Sequence, residues 1–187
     1  MTETSQLPVE ASEVLQFWFD ELKPEQWWKR DDDVNATITE RFGGLYAAHL
    51  KETPSDWLKQ PRGSLAAVIV LDQFPRNMFR DYAHTYATDK RALELLSNTI
   101  SAGWDMELEP GERMFLYMPY QHSEDREMQA RSVELFMALG NEDNLDFAIK
   151  HKEIVDRFGR FPHRNEMLGR KSTPEEIEFL KEPGLFW

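Results

Sequence analysis

GSLAAVIVLDQF, Gly63 to Phe74, places seven consecutive apolar residues, Leu65 to Leu71, directly before an acid. Apolar on nearly all sides, this run reads as a central helix enclosed by other helices. Leu65, Val68 and Asp72 fall on one stripe of it, so Asp72 is expected to be at least partly buried and to need an arginine or backbone partner. Pro75 is expected to stop the helix.

Outward from this segment, almost every patterned stretch repeats its apolar residues at three and four, with no alternating strand run and no Asn-Gly hairpin signal. The class is all-α. A first helix is expected from Ser12 to about Leu22, burying Val14, Leu15, Trp18 and Phe19 or Leu22, and a turn at Pro24 carries Trp27 and Trp28. A second runs from about Asp33 to Leu50 on a stripe of Val34, Ile38, Phe42, Leu45 and His49. Asp89 to Ala102 follows with Ala92, Leu93, Leu96 and Ile100 inward, then a short helix from Pro110 through Tyr117 that Pro119 limits. Ser123 is expected to cap a helix to Leu139 with Gly140 as its stop, and Asn144 one to Phe158 with Gly159 as its breaker. Thr173-Pro174-Glu175-Glu176 is a capping box for a last helix ending near Lys181. Seven to nine helices with short links predict antiparallel pairs in one domain over residues 11–187, after a flexible stretch over 1–10.

Composition narrows the function classes. The 187 residues carry 22 Lys plus Arg against 34 Asp plus Glu, a net charge of −12, which repels nucleic acid and anionic membranes on average. Hydrophobic residues are 41% of the chain, enough for a filled core. With no cysteine, disulfides, thiolate metal sites and Cys nucleophiles are excluded. That composition, and an N-terminus without a basic or long apolar run, predict a soluble cytoplasmic protein with no membrane span. Phosphate-binding G-x-x-x-x-G-K, G-x-G-x-x-G, H-E-x-x-H and G-x-S-x-G motifs are all missing. The identity of any cofactor is left open by these motifs.

Chemistry concentrates in three polar blocks. RFGRFPHRN, Arg157 to Asn165, has a looser echo in FPRN, Phe74 to Asn77, and residues 150–171 sum to +4 with neutral histidines, leaving −16 for the remainder. Converging arginines at a helix-breaking corner suit an anionic ligand, because the guanidinium fork matches carboxylate or phosphate bidentately. Equally, they suit ion-paired struts between helices. His151 shares a stripe with Phe147 and Phe158, and a histidine near a buried acid can act as a general base. The third block, MPYQHSED, holds Tyr120, His122 and Glu124; no spacing there is diagnostic of a metal, and none is expected.

These blocks, with FWF near Trp18, Trp27-Trp28, LDQFPRNMFR from Leu71, PYQHSE from Pro119 and the segment from His151 to Leu180, resemble the bacterial domain-of-unknown-function family numbered 924 over about residues 12–187. The resemblance implies an all-helical, tetratricopeptide-like arrangement, and no activity. The leading expectation is a pocket for a small anionic or phosphorylated ligand. Asp72, Gln73, Arg76, Asn77, Tyr120, His122, Glu124, His151, Arg160, His163 and Arg164 would line it, with His122 or His151 available for proton transfer. The alternative is a groove for a peptide or protein partner, with the arginines as struts.

Overall fold

A computed structural model describes residues 6–182. Among them are nine α-helical segments and no strand: α1 (Val9–Gln16), α2 (Asp32–His49), α3 (Pro61–Val68), α4 (Phe74–Met78), α5 (Asp89–Ser101), α6 (Pro110–His122), α7 (Arg126–Leu139), α8 (Glu142–Phe158) and α9 (Pro174–Phe179). The first helix starts at Val9, ahead of the expected Ser12, and continues as a π-helical turn over Phe17–Glu21. Of the stretch expected to be flexible, residues 1–5 lie outside the described residues, as do 183–187 of the expected domain.

The apolar run is enclosed as its composition demands. Every residue from Leu65 to Leu71 is fully buried, and α3 packs against α1, α5 and α6. The run does not end at Pro75, however. A π-helical turn over Ile69–Gln73 joins α3 to α4, so one rod extends to Met78 with the proline inside it. Pro75 has no N–H for the carbonyl of Leu71. The hydroxyl of buried Thr88 donates to that carbonyl at 2.5 Å instead. An outside donor thus removes the cost that makes proline a helix stop.

A second correction concerns the other proline expected to limit a helix. Pro119 lies within α6, which runs on to His122. The fully buried Gln129 of α7 donates to the carbonyls of Gln121 and Ser123 at 2.7 and 2.6 Å, satisfying the end of α6. Two caps also shift. Asp125, not Ser123, caps α7 by accepting from the amides of Glu127 and Met128, and Asn141, not Asn144, caps α8. Gly140 and Gly159 end these helices in the left-handed conformation, at φ 80° and 72°, as their positions predicted. The Thr173 capping box is present.

Short links at residues 123–125 and 140–141 turn α7 back on α6 and α8 back on α7. The main core spans α1 to α8, while Ile154, Val155, Phe161 and Phe179 form a smaller cluster with Phe158. Between the two converge the end of the central rod, the start of α5, the end of α6 and the turn at Pro162–Arg164. No helix among the described residues is long and apolar enough to cross a membrane.

Replacing Thr88 with valine keeps the shape and removes the donor to Leu71. A loss of about 1–3 kcal/mol is expected, the range for a buried carbonyl left unpaired. Urea unfolding of the Thr88→Val chain checks it, and an unchanged midpoint would refute the role given to this hydroxyl.

Candidate functional site

Asp72, fully buried on the central rod, organises the convergence point. Its Oδ1 lies 3.2 Å from Arg76 Nη1, one helical turn on, and 2.9 Å from His122 Nδ1, while Gln73 Nε2 donates to Oδ2 at 2.6 Å. The FPRN and PYQHSE blocks are thereby joined through one carboxylate. Burial alone would raise its pKa, but the Arg76 and His122 partners hold it well below the usual carboxylate range. Arg76 in turn grips Asp89 at the start of α5 with two hydrogen bonds, at 2.9 and 3.1 Å, and donates to the Asp72 carbonyl at 2.7 Å.

His122 is set by this carboxylate. An ionised Asp72 accepts, so Nδ1 carries the proton and a neutral ring leaves Nε2 as a lone pair. Burial and Arg76 both lower the pKa of His122, against the pull of Asp72, and favour that neutral form. Nε2 has no hydrogen-bond partner among the described residues and is not sealed from solvent. His151, the other histidine of interest, does not meet Asp72. It sits behind His122 at 6.5 Å between ring centres, with Nδ1 2.8 Å from the Phe147 carbonyl oxygen.

The arginines of RFGRFPHRN divide. Arg160 Nε and Nη2 bind the two carboxylate oxygens of Glu176 at 2.6 and 2.8 Å, and Glu176 is also the capping acid of α9. Arg157 pairs with Glu175 at 2.9 Å on the surface. Both are struts. Arg164 differs: it is only 6% exposed, yet its side chain donates no hydrogen bond among the described residues. Its Nε is buried without a partner, and its ion pair with Asp89 spans 3.6 Å. What holds it is a sandwich, with the Tyr86 and Phe161 ring centres 4.6 and 4.4 Å from Cζ.

The remaining expected residues fall around this knot or outside it. Glu124 is a strut, accepting from Arg170 at 2.6 and 2.9 Å and from the Phe161 amide at 2.8 Å. Asn77 donates to the Gln73 carbonyl at 3.0 Å, and His163 lies against Phe161 at 5.6 Å. Tyr120 points elsewhere, its hydroxyl 3.0 Å from Ser97 Oγ in the main core. Asp89, Tyr86 and Arg170 were missed. Asp89 read only as a helix start, Tyr86 sits in a short turn without a pattern, and Arg170 was counted in the basic segment 150–171 but not among the lining residues.

A surface cleft of about 390 Å³ is walled by Tyr120, Glu127, Met128, Ala130, Arg131 and Glu134, and one of about 230 Å³ lies near Trp104. Neither is walled by the arginine and histidine knot. Among the described residues, no group of three or more His, Asp or Glu side chains is placed to hold a metal ion.

Comparison with known proteins places this arrangement. A family model described as "Bacterial protein of unknown function (DUF924)" matches residues 14–184. A solved structure, that of the protein of unknown function ATU0120 from Agrobacterium tumefaciens, is similar at 39% identity and a TM-score of 0.87, covering 92% of this chain and 97% of that one. No curated protein matches.

The buried histidines dictate an acid response. Burial lowers His49 and His122, and takes His151 to about 3 and His163 to about 4, below the ordinary value near 6.5. The unfolded chain therefore binds more protons, so this stability is complete above about pH 6.5 and is lost as pH falls toward 4. Each histidine kept neutral contributes a slope of up to about 1.4 kcal/mol per pH unit. Glu176, held by Arg160 at about 2, extends the loss in the same direction below pH 4. Urea unfolding from pH 7.5 to 4.5 should show a slope exceeding that of one proton; a flat profile would refute it.

Proposed function

We propose, for a chain that belongs to the DUF924 family of bacterial proteins, that the convergence point binds a small oxyanionic ligand anchored by Arg164. One observation carries this reading: a guanidinium 6% exposed that makes no hydrogen bond among the described residues. A buried charge normally carries paired acceptors, because leaving it without them costs several kcal/mol. Stacking between Tyr86 and Phe161 offsets about 2 kcal/mol of that and fixes the plane of the fork without filling a donor. A carboxylate or phosphate oxygen supplies what is missing, in the bidentate geometry arginine favours.

Arg76 and His122 stand at the same knot, 18% and 16% exposed in their side chains, so the groups beside the anchor reach solvent. Arg76 is held by two aspartates and contributes field rather than a free fork. His122 Nε2 contributes an acceptor. A second reading, a surface for a protein partner, is favoured by Trp28 and Tyr82, 52% and 69% exposed, on loops that Arg30 and Asp81 bring together at 3.7 Å.

Thermal unfolding with inorganic phosphate, phosphorylated metabolites and dicarboxylates tests the first reading. A ligand at about 100 times its Kd adds roughly 2.7 kcal/mol, which raises the Tm by about 5–10 °C for a chain of this size. The shift should vanish in Arg164→Met and persist in Arg160→Ala, whose own Tm is lowered by loss of a strut. No shift with any panel member, or one that survives in Arg164→Met, would overturn the proposal.

A further inference from the structure

The same knot says more about the ligand than its charge, on the premise that the anion site at Arg164 exists. We infer that its ligand is a tetrahedral oxyanion that keeps a hydroxyl of its own, a phosphate rather than a sulfate. In this assignment Arg164 supplies donors, and His122 Nε2 a lone pair, to one and the same ligand.

The donor side is Arg164, stacked and without a hydrogen-bonded acceptor. The acceptor side is His122. Asp72 is fully buried and already receives Arg76, Gln73 and the His122 Nδ1 proton. It is ionised under these contacts and has no proton to give back, so the imidazole is fixed in one tautomer with its lone pair at Nε2. The groups facing this ring are Asp72 and Arg76 of the central rod, Asp89 of α5 and His151 of α8. Arg76 disfavours a second proton on His122, as does burial. The chain Arg164, Asp89, Arg76, Asp72, His122 is continuous, each link a contact of 3.6 Å or less, which keeps the two ends of the site in fixed relation.

An anion with no proton presents only lone pairs, and one of them would face the lone pair of Nε2. Hydrogen phosphate presents an O–H there and bare oxygens to Arg164. Sulfate, of similar size and charge, has no O–H at neutral pH. Leaving a buried polar atom opposed by another lone pair, in place of one hydrogen bond, lowers affinity by about 10- to 100-fold.

The experiment is titration calorimetry of the full chain at pH 7.5 with inorganic phosphate and, separately, sodium sulfate, alongside nitrogen-15 spectra of the His122 ring. Phosphate binding at least tenfold tighter than sulfate, with a change at the unprotonated Nε2 signal on adding phosphate alone, is expected. In His122→Asn, which keeps a donor for Asp72, the preference should fall. Should that variant fail to fold, the calorimetry and spectra of the native chain decide alone. Equal binding of both anions, or binding of dicarboxylates with neither phosphate nor sulfate, would overturn the phosphate assignment while leaving the anion site standing. No binding by any anion would remove both.

Discussion

A carboxylate on a helix that is dry on every side is the constraint from which the rest of this molecule follows. Asp72 ends a fully buried run and is itself fully buried, so its charge must be met inside the protein. The rod supplies Arg76 a turn later, and α6 supplies His122, which requires α6 to extend past Pro119. Arg76, half-buried where it meets Asp72, also pairs with a second acid, Asp89 of α5. One buried charge thereby fixes the relative positions of three helices. The π-helical turn at Ile69–Gln73 belongs to the same requirement, since Asp72 and Gln73 both lie in it and both face inward. Such turns recur where a helix must present an unusual face at a functional position.

Arginines of similar sequence setting are paired very differently here. Arg160 has a side chain 27% exposed, yet both of its donor groups toward Glu176 are used, and it ties α9 to the corner through an acid that also caps that helix. Arg170 does the same for the end of α6 through Glu124. Arg164 is more deeply buried and less well paired than either. What sets Arg164 apart from the struts is that its donors are not filled, which is a property of geometry.

That distinction also marks how far the residues could be read without coordinates. The all-helical class, the enclosure of Leu65 to Leu71, the burial of Asp72 and the glycine stops at Gly140 and Gly159 followed from local pattern and capping rules. Pro75 misled because a proline breaks a helix only if the carbonyl it orphans stays orphaned, and Pro119 because the helix end beyond it is held from outside. Thr88, distant in sequence, supplies the donor to Leu71, while Gln129 satisfies the carbonyls at the end of α6 beyond Pro119. Asp125 outcompeted Ser123 as a cap by accepting from two amides of the first turn. At the convergence point the polar blocks were legible as blocks, because arginine and histidine beside Phe and Pro stand out in an acidic chain. Which histidine met Asp72, and which arginine lacked acceptors, depended on contacts such as those with Asp89 and Tyr86 that no periodicity encodes.

The net charge of −12 bears on how an anion would meet this knot. At physiological ionic strength fields decay over about 8 Å, so an approaching anion is repelled by the acidic surface and attracted only at short range. Long-range steering therefore contributes nothing, and the encounter is slower than it would be for a basic protein. Within the knot Arg76 is paired with Asp72 and Asp89, while Arg164 shares Asp89 only at 3.6 Å, so a ligand there would gain mainly from Arg164. Affinity for such an anion would come from directed hydrogen bonds to a guanidinium held flat by two rings. Such a site selects by the placement of donors and acceptors more than by the number of charges a ligand carries.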